Sequence, residues 1–271
     1  AAAAPRLPEL TMSGGRDGGV GGGDGVLVRA LRILRAFDEG EDQHTATSLA
    51  ARTGLARSTA HRLARELAGL GLLDKGADGS YTIGTGLWEL GELAPVSLRL
   101  RERALPHLAH LYEVSGENVH LAVLSTGDAA LAEALFVGRV TGPHSIPTLS
   151  RMGGRHPLHT TGVGKALLAS RDDAWLDEFF ERTLERETVY SVTDARQLRA
   201  ELVTARERGY ATTRQEMTLG NVSVAAAIPP RAGLPPAAVG VVTHLARADE
   251  RRLGQLVVAA ARAIARELER P

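Results

Sequence analysis

The chain has 271 residues, enough for two domains of ordinary size, and its 32 basic and 32 acidic residues balance, so net charge neither supports nor excludes binding to nucleic acid. It contains no cysteine, which excludes disulfides, thiolate catalysis and cysteine-ligated zinc and is consistent with a cytoplasmic protein. No apolar run is long enough for a membrane span and no signal peptide is recognisable, so we expect no membrane association.

Residues 1–24 are rich in glycine and poor in large apolar side chains, which predicts a flexible tail. Periodicity from Val26 onward predicts an amphipathic helix, a short helix over 47–52, a third helix over 56–70, and two short strands around a turn at Asp78-Gly79. Gly54 separates the second helix from the third. This order is typical of a winged helix-turn-helix domain that binds DNA, and we assign it to residues 25–84.

The third helix has an apolar stripe formed by Ala60, Leu63, Leu67 and Leu70, and a polar face opposite to it. The segment 43–65 contains four arginines and no acidic residue, although the whole chain is balanced. A helix that enters the major groove needs cations for phosphates and short polar side chains for base edges. A solvated surface helix is the simpler alternative, but it does not explain the missing acids. The predicted DNA-binding residues are Thr47, Ser48, Arg57, Ser58, Thr59, His61, Arg62 and Lys75, and Ser80 in the hairpin is a further candidate for contact with the DNA backbone.

A helical linker is expected over residues 85–104, with a break or kink at Pro95. Beyond it, the alternation of Val119, Leu121 and Val123 predicts a strand, a turn follows at 125–128, and a second strand is predicted over 129–137. Helices are predicted over 162–170, 174–183, 194–208 and 249–269, and strands over 210–213, 221–228 and 237–244. Residues 105–271 are therefore expected to form an α+β domain with an antiparallel sheet.

Four segments, in order and at matching spacing, carry a likeness to a known family: TGLARSTAHRL at 53–63, SGENVHLAVL at 115–124, PLHTTGVGKALLA at 157–169 and ERGYA at 207–211. With these motifs the chain resembles the IclR family of bacterial transcriptional regulators over nearly its whole length. The resemblance implies a fold with an N-terminal winged helix-turn-helix, a helical linker and a GAF-like sensor domain.

The resemblance also implies a function. Members pair through their winged-helix halves, as homodimers or dimers of dimers, and bind pseudo-palindromic operators on double-stranded DNA near catabolic genes. The C-terminal half senses a small-molecule effector, often a carboxylic or aromatic acid. We expect a repressor of this kind, with no cofactor, no metal and no catalytic residues.

The family's effector pocket maps onto the glycine-rich turn Gly162-Val163-Gly164, whose backbone amides are suited to hold a carboxylate at a helix N-terminus. The remaining pocket positions that the resemblance implies are Leu149, Met152, Thr213, Ser223, Gly240 and Val242. Some members have an acid at the position of Thr213 and serines at those of Gly240 and Val242. With fewer polar groups here, we expect a larger or less polar effector than a two- or three-carbon keto acid.

Four alternatives compete with this interpretation. Gly162-Val163-Gly164-Lys165 suggests a phosphate-binding loop, but His159 and Ala166 occupy two of its anchor positions. Two histidine pairs, 107 with 110 and 156 with 159, have metal-ligand spacing but no neighbouring carboxylate that completes a site. An enzyme is disfavoured because no G-x-S-x-G elbow or carboxylate motif is present, whereas a ligand-binding module without DNA stays open.

Overall fold

The computed structural model describes residues 24–38, 40–142, 146, 148 and 150–270, and the chain divides into two compact units between Ala94 and Pro95. This division falls inside the segment 85–104 in which the sequence predicts a linker. The expected flexible tail lies, apart from Asp24, outside the described residues.

The first unit contains four helices and three short strands among its described residues. They are α1 (Val26–Leu34), β1 (His44–Thr45), α2 (Ala46–Thr53), α3 (Arg57–Gly69), β2 (Leu73–Lys75), β3 (Ser80–Ile83) and α4 (Thr85–Glu92). The strands form an antiparallel sheet in the order β1-β3-β2. The Thr45 hydroxyl accepts a hydrogen bond from the Ser48 amide at 3.2 Å and begins α2, and Gly54, at φ +69°, ends it. The left-handed glycine allows the tight turn into α3, so the predicted winged helix-turn-helix is confirmed.

The core of this unit shows why α3 has a fixed orientation. Ala60, Leu63 and Leu67 are buried against α1, α2 and the hairpin, which leaves the opposite side of α3 exposed. The prediction that Leu70 continues this stripe is wrong, because its side chain is 72% exposed. The helix ends at Gly69, and the backbone turns at Gly71, with φ +71°, so Leu70 leaves the buried side.

The second unit is built around one large sheet. Its elements are a π-helix (Val96–Arg101), α5 (Glu102–Ser115), β4 (Asn118–Leu124), β5 (Ala134–Val140), β6 (Arg155–His156), α6 (Gly162–Ala169), α7 (Asp173–Phe180), α8 (Ala195–Arg208), β7 (Ala211–Arg214), β8 (Asn221–Ile228), β9 (Ala237–His244), a short 3₁₀ helix (Leu245–Arg247) and α9 (Glu250–Glu267). The six strands are antiparallel in the order β6-β5-β4-β9-β8-β7.

Helices cover both faces of this sheet, which makes three layers. Val119 and Leu121 belong to the core on one face, together with residues of α5 and α9. Ala122 belongs to the core on the other face, with Val163 of α6 and Phe179 of α7. Because side chains alternate along a strand, His120 lies on the face of α6. The predicted α+β architecture with an antiparallel sheet is confirmed.

The second strand of this unit begins later than the sequence predicts, at Ala134 rather than at residue 129. The Asp128 carboxylate accepts the Ala130 amide at 2.9 Å and holds the preceding residues in a turn. Ala129 and Ala132 are fully buried there, so their apolar character reflects packing of the turn. The break expected at Pro95 is present, since α4 ends at Glu92.

Candidate functional sites: a cavity on the sheet and an exposed basic helix

A cavity lies between the sheet of the second unit and the N-terminus of α6. About 560 Å³ of empty space lies in and around it, a figure that includes open solvent. Its lining is mixed, with few ionisable groups and many hydroxyls and apolar side chains: His120, Phe136, Thr148, Ser150, His156, Thr160, Thr161, Gly162, Val163, Thr213, Glu216, Met217, Thr218, Asn221, Ser223, Gly240 and Val242. This composition suits a small organic molecule with a few polar groups.

The N-terminus of α6 is held close against the sheet. The Thr161 hydroxyl caps the helix by accepting the Gly164 amide at 3.2 Å. A side chain at Gly162 would collide with the Ser223 side chain, and one at Gly240 would press on Ala225 and Val163. These glycines therefore let α6 approach β8 and β9. The amides of Gly162 and Val163 begin the helix and have no carbonyl four residues earlier within it, so this end is suited to an anion.

A second polar group of the cavity lies on β4 and on the chain before β6. His120 Nε2 lies 2.8 Å from the Ser150 hydroxyl, which lies 3.0 Å from the Thr148 hydroxyl. The Phe136 ring meets the His120 and His156 rings edge-on, with centroids 5.4 Å apart in each pair. Burial, and then the nearby Arg139 and His156, lower the pKa of His120 to about 3. The imidazole is therefore neutral at physiological pH.

A buried ion pair lies next to the cavity, just after β7. Lys165 Nζ lies 2.8 Å from Glu216 Oε1 and 2.6 Å from Glu201 Oε2. Burial raises the pKa of Glu216, and the ammonium of Lys165 opposes that rise. Lys165 is thus a structural cation shared by two carboxylates, and Glu216 is the one of these three residues that also lines the cavity.

The DNA-reading candidate is the exposed face of α3. Arg57, Ser58, His61 and Arg62 are exposed, and Thr59 is half-buried. Arg62 forms an exposed ion pair with Glu66, one turn further along, at 2.8 Å. The face thus presents arginine and hydroxyl groups on a rigid helix whose other side is buried in the core, as an element that reads base edges requires.

Comparison with known proteins assigns both units to one family. The model described as "Bacterial transcriptional regulator IclR C-terminal" matches residues 94–270, and the "IclR helix-turn-helix domain" matches residues 26–76. The chain belongs to the IclR family of bacterial transcriptional regulators. The resemblance found in its motifs is thereby confirmed.

Individual relatives of this IclR-family regulator agree with that assignment. It is 35% identical to the HTH-type transcriptional regulator BhcR of Paracoccus denitrificans (92% of this chain, 90% of the relative) and 30% identical to the transcriptional repressor IclR of Escherichia coli (88% of each). Among solved structures, an IclR homologue from Microbacterium hydrocarbonoxydans complexed with 4-hydroxybenzoate has a TM-score of 0.82 and 31% identity, over 90% of this chain and 99% of that one. The named relatives are regulators, in agreement with the prediction of a regulator and not an enzyme.

The structure brings together most of the effector positions that the resemblance implies. Six of them line the cavity: Gly162, Val163, Thr213, Ser223, Gly240 and Val242. Gly164 does not line it, because it is buried where a side chain would collide with Leu158. Met152 does not line it either and is 41% exposed, and Leu149 lies outside the described residues.

Several cavity residues were not predicted, His120, Ser150, His156 and Glu216 among them. A signal for His120 was available, since a polar residue alternates with Val119 and Leu121 in a fully buried strand. No local pattern pointed to Ser150 or His156, which reach the cavity through the path of the chain after β5.

The other predicted DNA-binding residues have varied surroundings. Thr47 and Lys75 are exposed, whereas the half-buried Ser48 side chain lies 2.9 Å from His44 Nδ1. Ser80 is only 5% exposed, and its hydroxyl donates to Asp78 at 2.5 Å and accepts from Gln43 at 2.6 Å. The suggestion that Ser80 contacts DNA is therefore wrong, because its hydroxyl holds the hairpin turn together.

Neither histidine pair forms a metal site with other ligands in the part of the chain that the structure describes, where no group of three or more potential ligands occurs. His159 is buried and its Nε2 lies 2.8 Å from the Glu185 carbonyl oxygen. His110 lies on the surface, 3.9 Å from Glu113. Among the described residues, no helix has both the length and the apolarity that a membrane span requires.

Proposed function

We propose that this regulator is a repressor of catabolic genes whose operator binding is controlled by a carboxylic or aromatic acid in the cavity of its second unit. The observation that carries the proposal is the pairing, in one chain, of an exposed helix face rich in arginine and hydroxyl groups with a cavity, partly open to solvent, at a helix N-terminus. Because a regulator acts on the chromosome, the proposal places the protein in the cytoplasm.

On DNA, we assign contact to Arg57, Ser58, Thr59, His61 and Arg62 of α3, with support from Thr47, Ser48 and Lys75. The N-terminal end of a recognition helix reaches furthest into the major groove, so Arg57 and Ser58 are the candidates for base edges. In the free protein Arg62 is held by Glu66, and we expect it to exchange this partner for a phosphate.

Two copies would read the two halves of a pseudo-palindromic operator, about one helical turn apart. Apolar side chains on α1 and α4 support pairing through the DNA-reading unit, since Leu27 is 81% exposed and Trp88 is 67% exposed. Exposed apolar groups of this size are typical of interaction surfaces. We propose a homodimer, or a dimer of dimers, as the functional form.

For the effector, the first amides of α6 would bind the carboxylate. Position 213 has a threonine where some members have an acid, and positions 240 and 242 lack hydroxyls. This part of the cavity is therefore less polar, which favours an effector that is larger and less polar than glyoxylate or pyruvate. The related protein from Microbacterium hydrocarbonoxydans, solved with 4-hydroxybenzoate, supports an aromatic acid. The effector would act by binding two states of the protein with different affinity.

The test is capture of sheared genomic DNA of the host by the full-length protein, with and without a pool of carboxylic and aromatic acids, followed by sequencing. We expect one or a few inverted repeats to be enriched, and the acid pool to release them. A protein that enriches no sequence in either condition at moderate salt would contradict the proposal and favour a ligand-binding module. If the acid pool instead increases the enrichment, the protein is still an effector-controlled regulator, but the acid promotes operator binding.

A further inference from the structure

The polar groups of the cavity form two sets on different strands. Gly162 lies over Ser223 on β8, and Val163 lies beside Gly240 on β9, so the N-terminus of α6 covers these two strands. His120 lies on β4, directly opposite Gly240 in the register of β4 and β9. It is thus two strands, about 9.6 Å, from β8 across the sheet, and Ser223 is displaced a further two residues, about 7 Å, along that strand because Ala225 is the residue opposite Gly240. This separation accommodates about one six-membered ring with a polar atom at each end.

The set on the side of β4 carries no permanent charge. It consists of His120, Ser150 and Thr148, joined by hydrogen bonds of 2.8 and 3.0 Å. Each hydroxyl can rotate and each imidazole tautomer is available, so the chain of bonds can run in either direction. The set can therefore donate to a ligand or accept from it. Burial holds the imidazole in its neutral form, as the lowered pKa of His120 indicates.

Arg139, whose charge helps to lower the pKa of His120, is exposed on β5 and does not line the cavity. Among the described residues, the cavity lining contains no lysine or arginine, and its one carboxylate, Glu216, is already paired with Lys165. A second carboxylate of a ligand placed against His120 would lose much of its hydration without meeting a compensating positive charge in the cavity lining. A neutral hydroxyl would lose much less hydration free energy than a carboxylate, and it would gain hydrogen bonds to this set.

We propose that His120, Ser150 and Thr148 determine specificity: they accept effectors with one carboxylate and an uncharged hydroxyl at the opposite end, and exclude dicarboxylates. This inference rests on the proposed function for the carboxylate end, at α6. It adds the residues that recognise the distal end and the class of acid that they reject.

The experiment is isothermal titration of the full chain at pH 8, where an ordinary imidazole is neutral, with three acids of one ring: 4-hydroxybenzoate, benzoate and terephthalate. We expect benzoate to bind about 3- to 10-fold more weakly than 4-hydroxybenzoate, since it loses one or two neutral hydrogen bonds. Terephthalate should bind at least about 100-fold more weakly than 4-hydroxybenzoate, because its second carboxylate is buried without a partner.

Two variants assign the effect to these residues. Ser150→Ala should reduce the preference for 4-hydroxybenzoate over benzoate to about 2-fold or less while benzoate binding persists, which also shows that the variant is folded. Thr148→Lys, which supplies a cation, should improve terephthalate relative to benzoate by about 10-fold. The matched control is Ser115→Ala, at the end of α5 on the other face of the sheet, and it should keep the wild-type preferences.

Equal binding of benzoate and 4-hydroxybenzoate, or of terephthalate and the monoacids, would overturn the inference, as would the absence of binding by all three acids. Failure of the proposed function has a different signature. If 4-hydroxybenzoate binds with the expected preferences but leaves the captured DNA unchanged, the specificity stands and the control of operator binding fails. If none of the three acids binds while an operator is still captured, the proposed DNA-binding function is retained and this inference about effector specificity is wrong.

Discussion

The imidazole of His120 couples the cavity to the stability of the second unit. Its pKa lies near 3 in the folded protein, chiefly because of burial, and near 6.5 when unfolded. Between these values the unfolded chain binds the proton and the folded chain does not, so stability is lost as pH falls from about 6.5 toward 3. Each pH unit in this window costs up to about 1.4 kcal/mol.

We therefore expect His120→Gln to flatten the dependence of the free energy of unfolding on pH. Urea unfolding at several pH values between 7.5 and 4.5 measures it, and the wild type should lose stability more steeply than the variant. His110→Gln is the matched control, because its ring is exposed on α5 and its replacement should leave the wild-type slope unchanged. Identical slopes in His120→Gln and the wild type would contradict the assignment.

The ion pair of Lys165 with Glu216 is the second residue-scale feature with a measurable consequence. The Lys165 side chain is 2% exposed and that of Glu216 is 7% exposed, so removal of the cation leaves a buried carboxylate without its main partner. Lys165→Met should cost about 3–5 kcal/mol of unfolding free energy. Removing both charges, in Lys165→Met with Glu216→Leu, should recover most of that loss.

Urea unfolding at pH 7.5 distinguishes this pair from its exposed neighbour. Glu201, whose side chain is 37% exposed, is the control, and Glu201→Gln should cost less than about 1 kcal/mol. If Lys165→Met were as mild as Glu201→Gln, the ammonium would not be the group that holds Glu216 in the wall of the cavity.

At the scale of elements, α3 is the helix whose sequence and surroundings both indicate contact with DNA. Its buried stripe fixes the helix in the core, and Arg57 and Arg62 lie on the exposed side. Replacing both with alanine should weaken binding to the captured operator and lower the slope of log affinity against log salt by about 1, because Arg62 is the one of the two that we assign to a phosphate. Filter binding or fluorescence anisotropy at 50 to 200 mM salt measures both quantities.

The matched control for this variant removes the same charge elsewhere. Arg251 and Arg262 are exposed on α9, in the other unit, and their double replacement by alanine should leave operator affinity and the salt slope near those of the wild type. If the two double variants lost affinity equally, the effect would reflect net charge, and α3 would not be the element that reads DNA.

At the scale of the whole molecule, the candidate DNA-contact surface and the candidate effector cavity lie in different units. Every residue that lines the cavity lies in the unit that begins at Pro95, and α3 lies in the other. In calorimetry of the full chain, 4-hydroxybenzoate at 100 times its Kd should stabilise the second unit by about 2.7 kcal/mol. The captured operator DNA should instead shift the transition of the first unit. Equal shifts of both transitions with either ligand would mean that the units unfold as one.

Local patterns were sufficient for much of this architecture. The helical period of Ala60, Leu63 and Leu67, the glycine at position 54 and the alternation in β4 each depend on neighbours in sequence, and the structure confirms the elements they predicted. Ends of elements were less predictable. The strand expected to begin at residue 129 begins later, because a hydrogen bond to Asp128 holds the apolar residues there in a turn. Leu70 is exposed and not buried, because the helix ends at Gly69.

The sequence by itself determined the helix-turn-helix fold of the N-terminal part, the antiparallel α+β fold of the C-terminal part and the family, because these depend on local periodicity and on motifs that are contiguous in the chain. Only the tertiary structure decided the composition of the cavity. His120, Ser150 and Glu216 are far apart in sequence and meet through the strand order β6-β5-β4-β9-β8-β7 and the chain that follows β5. The neutrality of His120 likewise depends on burial, which no short segment of the sequence encodes.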